Sequence, residues 1–170
     1  MRIIGVDPAL QITGYGIIDF TVSESVHIAS GTVHTRACQS LEERLDTIYT
    51  GITAILRQHR PDVMVLEKIF VHHAHTTTAF RLGQARGIIV LSAAHLAIPV
   101  VEYAATQVKK SVVGNGHATK QQVQRMVTSQ LHMRVTPKYF DVTDALALAM
   151  AYRDHNRNQD LAQILALHTQ

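Results

Sequence analysis

Two apolar runs in this chain each stop on a carboxylate, and that pattern restricts the fold more than any other feature. The first is Ile3-Ile4-Gly5-Val6 followed by Asp7; the second is Val63-Met64-Val65-Leu66 followed by Glu67. Short, continuous, β-branched runs bounded by turn residues read as strands buried on both faces, and such strands belong to sheets covered by helices. Acids at the carboxyl ends of buried strands sit where α/β sheets place their chemistry.

The segments between these runs set the topology. Pro8 to Gln11 is a turn and Ile12 to Phe20 a second apolar segment, so the first two strands form a hairpin with Asp7 at its mouth. Val26 to His34 alternates as a third strand and completes an antiparallel meander. Ser40 opens a helix, with Glu43 placed for a capping box and Leu41, Leu45, Ile48, Ile52, Ile55 and Leu56 on one face, before Pro61-Asp62 stops it. A long helix is expected from Thr76 to Leu96. Gly83 and Gly87 interrupt it, each at a cost of up to about 1 kcal/mol relative to Ala, and glycines so placed admit close approach of another backbone, a partner helix or nucleic acid. Val100 to Glu102 is a short fifth strand, followed by a helical turn or two to Val113, a loop at Gly114 to His117, and a helix from Thr119 to Leu131. The Ala/Leu-rich stretch from Asp141 to Ala151 is a buried helix, and the polar tail beyond it has the weak apolar rhythm (Leu161, Ile164, Leu165) of a loosely docked helix. The expected organisation is one domain over 1–152 with a C-terminal tail over 153–170.

Composition narrows the partners and the compartment. A chain of 170 residues with 46% hydrophobic and 17% charged residues has room for one core and folds as a globular protein. A net charge of +3 with 11 His leans toward an anionic partner such as nucleic acid. Cys38 stands alone, which excludes an intramolecular disulfide and a Cys-based zinc site and fits a reducing compartment. No signal-peptide pattern or membrane-length apolar run is visible, so a cytoplasmic protein without membrane contact is expected.

The residues that carry chemistry are Asp7, Glu67, Asp141 and Asp144. Positions three apart share a helix face, so Asp141 and Asp144 point the same way from a first turn, where the helix dipole favours anions. Taken alone, that pair reads as helix capping. Joined by two strand-end acids, it makes a cluster that repels itself unless a cation joins it. Oxygen-only donors suit magnesium or manganese, and a pair of such ions suits attack of water on a phosphodiester.

The segments Gly5-Val6-Asp7-Pro8, Thr13-Gly14-Tyr15-Gly16, Leu66-Glu67 with Phe70, Leu82-Gly83-Gln84-Ala85-Arg86-Gly87, Val112-Val113-Gly114-Asn115-Gly116 and Asp141-Val142-Thr143-Asp144-Ala145-Leu146-Ala147 resemble the bacterial RuvC Holliday junction resolvases, in order and nearly in spacing. The resemblance implies an α/β, RNase H-like fold with a mixed five-stranded sheet flanked by helices. It implies a homodimer that resolves four-way DNA junctions in recombination and repair by paired symmetric nicks, with two Mg2+ ions per site or Mn2+ in their place, and RuvA and RuvB as working partners. By position, Asp7, Glu67, Asp141 and Asp144 match the metal-binding acids. Phe70 matches an aromatic that stacks on bases, and Arg86, Lys109 and Lys120 match DNA-binding positions. Lys120 is also placed to offset charge developing in the transition state.

Two departures stand out. Ala9-Leu10 follows Asp7-Pro8 where relatives usually carry a Gly-Ser-like pair, which strains the turn if residue 9 needs a positive φ. His72, His73 and His75 crowd a loop that reads as solvated, or as a weak transition-metal site. Rival readings are a nuclease of the same fold acting on precursor ribosomal RNA, a junction-binding protein without cleavage, and a sugar-kinase relative. The first leaves Phe70 and the 82–87 run unexplained, and the last needs two such domains.

Overall fold

The computed structural model describes residues 1–21, 24–68 and 76–167, with side chains for all of these except 76–78 and 157–167. Phe70, His72, His73 and His75 lie outside the described residues. The chain runs β1 (Arg2–Asp7), β2 (Ile12–Phe20), β3 (Ser25–His34), α1 (Leu41–His59), β4 (Val63–Glu67), α2 (Thr76–His95), β5 (Val100–Tyr103), α3 (Ala105–Val113), α4 (Lys120–Gln130) and α5 (Phe140–Leu167).

The strands form one sheet in the order β3-β2-β1-β4-β5. β2 is antiparallel to both of its neighbours, whereas β1, β4 and β5 are mutually parallel. The hairpin, the meander and the mixed five-stranded sheet expected from the sequence are all present. Ser40 caps α1 with the anticipated reciprocal bonds to Glu43, and the helix ends at Arg60 in the left-handed region, just before Pro61.

Strand parity divides the core. Ile3, Ile18, Val63 and Val65 face α3, α4 and α5 and pack there against Val108, Val123, Leu146 and Ala149. Ile4, Val6, Ile17, Met64 and Leu66 face α1 and α2 and meet Ile48, Ile52, Ala85 and Ile89. Both faces are dry, as the unbroken apolar runs required, and each fully buried Ile or Leu contributes about 1.5–3 kcal/mol. With a side-chain period of two, Asp7 and Glu67 fall on the same face as Ile3, Val63 and Val65. They therefore look toward α5.

α5 runs without a break into the stretch that the sequence reading set apart as a loosely docked helix. It continues past Ala151 to Leu167 because residues 152–167 contain neither Pro nor Gly and nothing stops the helix. α3 is a full nine-residue helix closed by Gly114 at φ 80.

Candidate active site

Val6 pairs with Leu66 across the parallel β1–β4 ladder, so Asp7 and Glu67 leave the sheet side by side. The opposite half of the site comes down from above. β1 and β2 present Gly5 and Gly14 to α5, where a Cβ on Gly5 would overlap the Ala145 carbonyl and one on Gly14 would overlap that of Asp141. Only glycine lets the helix backbone lie this close, and the closeness brings the start of α5 to the end of β1, with Asp141 in the first turn and Asp144, which the sequence placed there too, just beyond it because the helix already begins at Phe140.

The turn behind Asp7 is held without glycine. The Thr13 hydroxyl donates to the Ala9 carbonyl at 2.7 Å and accepts from the Ala9 N–H at 3.3 Å. Among the described non-glycine residues, positive φ angles occur at Arg60, Ala97 and His132, so Ala9 carries no such strain.

The electrostatics show how tightly the acids interact. Burial, followed by the charges of Asp144, Asp141 and Glu67, pushes the Asp7 carboxyl up to about 7, against an opposing pull from Lys120. Glu67 is exposed at the lip, yet desolvation and then Asp144 raise its pKa, while Lys120 and Lys109 oppose the rise. Lys120 Nζ donates to Asp144 Oδ2 at 2.8 Å. Partial burial lowers the Lys120 pKa, but that bond and the charges of Asp144, Asp7 and Asp141 outweigh it and raise the net value. Four carboxylates and one ammonium share a single field.

A cleft of about 280 Å³ opens there, walled by Asp7, Glu67, Lys109, Lys120 and Asp144 over an apolar floor that includes Val108, Val123 and Leu148. Asp141 acts on it through charge rather than as a wall. A larger polar hollow of about 800 Å³, lined in part by Ser111, Gln130, Arg153 and Asp154, contains none of the four acids.

The family described as crossover junction endodeoxyribonuclease RuvC matches residues 3–152. The chain belongs to the RuvC family. A RuvC of Geobacter sulfurreducens is 42% identical over 152 residues, 89% of this chain and 92% of that protein. A RuvC of Proteus mirabilis is 42% identical over 156 residues, 92% of this chain and 88% of that one. The structure of Thermus thermophilus RuvC in complex with a Holliday junction substrate superposes with a TM-score of 0.87 at 27% identity, covering 94% of this chain and 96% of that one.

The other residues singled out from the sequence fall in different places within this RuvC fold. Lys109 and Lys120 stand in the cleft wall. Arg86 does not project into solvent. Its side chain is 12% exposed, it donates to the Glu67 carbonyl at 2.9 Å, and it is ion-paired with Glu102. Sequence reasoning missed Glu102, although a lone acid in an otherwise apolar short strand was a usable signal.

As the side chains stand, no group of three or more His, Cys, Asp or Glu among the described residues is arranged to hold a metal ion, and Asp144 is turned to Lys120. The chemistry of the donor set nevertheless fits a hard divalent cation. All four candidate ligands are carboxylates, and the repulsion that raises Asp7 is what such a charge relieves.

Proposed function

We propose that this RuvC-family chain is an endodeoxyribonuclease that resolves four-way DNA junctions, hydrolysing phosphodiesters in the cleft at the edge of its sheet. The observation that carries this reading is the convergence of carboxylates on one cleft: Asp7 and Glu67 leave adjacent strands side by side, Asp144 faces them from α5, and the charges of Asp144, Asp141 and Glu67 add to burial in raising Asp7, a repulsion that a bound cation would relieve. Family members are divalent-metal-dependent nucleases. The finer reading is two Mg2+ ions per site with Mn2+ able to replace them, held by Asp7, Glu67, Asp141 and Asp144. When bound, such ions supply Lewis-acid stabilisation of the attacking and departing oxygens.

The chain's own side chains supply the rest. Lys120, beside the acids, offsets negative charge developing on the phosphoryl group, as a pre-placed cation in a partly desolvated site does. Lys109 offers a phosphate contact on the cleft wall. The apolar floor limits free water around the reacting group. Phe70 keeps its proposed part, stacking on bases at the exchange point, by resemblance alone.

The active unit in this reading is a homodimer, since an isologous pair matches the near two-fold symmetry of a four-way junction and places two cuts symmetrically. α2 supports it. Among the described residues nothing lies within 4 Å of where a Cβ on Gly83 or Gly87 would be, and on the same helix Phe80 is 68% and Leu91 43% exposed. Work alongside RuvA and RuvB, in the cytoplasm where chromosomal junctions form, follows from the family alone. Among the described residues, no helix is long and apolar enough to cross a membrane.

The test is cleavage of a mobile synthetic four-way junction beside matched duplex and single-stranded RNA, with Mg2+ or with chelator, by wild type and Asp7→Asn. Paired, metal-dependent nicks in the junction alone, absent in the variant, are expected. Junction binding without cleavage would favour an architectural protein, and cleavage of RNA would overturn the substrate.

A further inference from the structure

Arg86 stands on the far side of the sheet from the acids it serves. Glu67 has lost its β1 neighbour, because the β1–β4 ladder ends at Val6 and Leu66, and it keeps only β5 through the Glu67–Tyr103 pair and the Lys68 N–H to Tyr103 carbonyl bond of 2.8 Å. Its own carbonyl is taken by Arg86 at 2.9 Å, from α2 on the opposite face. The other arm of the guanidinium is ion-paired with Glu102, whose side chain points to the α2 face because its strand neighbour Tyr103 points to the α5 face. Arg86 is thus a rigid two-pronged bridge between the ends of β4 and β5, at the last residue before the chain leaves the sheet.

We infer that Arg86, anchored by Glu102, is a positioning residue that fixes the peptide plane of Glu67 and thereby aims its carboxylate into the cleft, and that it is not a phosphate contact. Its guanidinium comes from the face of the sheet opposite the acids, its side chain is 12% exposed, and its two terminal nitrogens are each turned to a protein acceptor. Glu102, with a 45% exposed side chain, holds the arginine in place and has no other assigned task. The inference rests on the nuclease reading for its activity readout, but not for its binding readouts.

The experiment compares wild type with Arg86→Gln, Arg86→Lys and Glu102→Gln in three measurements. These are junction affinity in chelator with its salt dependence, the Mn2+-induced rise in Tm without DNA, and the Mg2+ concentration for half-maximal cleavage. Arg86→Gln is expected to leave metal-free junction affinity and its salt slope unchanged. It should also raise the half-maximal metal concentration about tenfold, as loss of a group orienting a metal ligand does, and blunt the Mn2+-induced Tm rise. Arg86→Lys should fall between, since an ammonium reaches one acceptor in place of two. Glu102→Gln, which removes no cation and lies on the surface, should shift the metal requirement the same way by a smaller factor. Weaker metal-free junction binding with a shallower salt slope in Arg86→Gln, at unchanged metal requirement, would make it a phosphate contact. A lower Tm with every other readout unmoved would make it merely structural, and either result overturns the inference. Failure of the wild type to cut junctions would instead sink the nuclease reading and leave the Mn2+ measurement to judge Arg86.

Discussion

Lys120 Nζ lies 2.8 Å from Asp144 Oδ2, joining the first residue of α4 to the second turn of α5 across the cleft that holds Asp7. With side chains 59% and 22% exposed, the pair adds little stability, at most about 1 kcal/mol for an exposed ion pair. Its effect is electrostatic and local. Lys120→Ala is expected to change Tm by a few degrees at most while slowing cleavage on the order of 100-fold, the usual cost of losing one transition-state charge partner. Because Lys120 opposes the rise in the Asp7 pKa, the titration of Asp7 in the metal-free protein should also move to higher pH. A variant that cuts at the wild-type rate would remove Lys120 from the chemistry.

Asp7 should cost the metal-free protein stability. Its carboxyl titrates near 7 when folded against an ordinary value of 3.8, so the folded state holds its proton longer than the unfolded chain does. Stability from this group therefore falls as pH rises from about 4 to about 7 and stays low above that. In chelator at pH 8, Asp7→Asn should be more stable than wild type by roughly 2–4 kcal/mol, each pKa unit being worth about 1.4. The gap should close below pH 4 and also on adding Mg2+. Thermal melts across pH check this, and a destabilised Asp7→Asn in chelator would contradict it.

Gly14→Ala should damage the site through the helix. The added methyl meets the Asp141 carbonyl and Cβ, so α5 must shift or the strand must bend, at about 1–3 kcal/mol. Chemical denaturation should show that loss, and cleavage should drop further than stability alone explains, because the displaced stretch of helix carries two of the acids. An unchanged melting curve would mean the helix sits less tightly than its backbone contact indicates.

α2 offers the opposite case. Gly83→Ala meets nothing within 4 Å among the described residues, so the isolated fold should tolerate it or gain up to about 1 kcal/mol of helix propensity. Gly87→Glu puts a charge in the middle of the proposed contact. Sedimentation should show a dimer for wild type and a monomer for Gly87→Glu, with little change in secondary structure. If Gly87→Glu remains a dimer, the subunits meet elsewhere.

Much of the architecture was legible in the chain because it depends on local pattern. Unbroken apolar runs at residues 3–6 and 63–66, short and bounded by turn residues, read most simply as doubly covered strands, the 8–11 turn as a hairpin, and Ser40 with Glu43 as the start of α1. That the tail helix is one with α5 was not legible, because no Pro or Gly marks a stop and the apolar rhythm weakens after Ala151. Ala9 raised a concern that dissolved once the Thr13 hydroxyl was seen to hold both polar groups of its backbone, a contact that spacing alone does not reveal.

The sequence by itself determined which carboxylates exist, where each lies on its strand or helix, and, through parity, that Asp7 shares a face with Ile3 and Glu67 with Val63. These are one-dimensional facts carried by alternation and by residue type. Only the tertiary structure decided that α5 covers that face, that Gly5 and Gly14 let it lie against the strands, and that Lys120 reaches Asp144 from another helix. It also joined Arg86, which the sequence offered as a DNA-binding position, to the Glu67 carbonyl and to Glu102. The physical reason is the range of the interactions: backbone propensity acts over a few residues, whereas desolvation and charge act through space, between groups as far apart in the chain as Asp7 and Asp144.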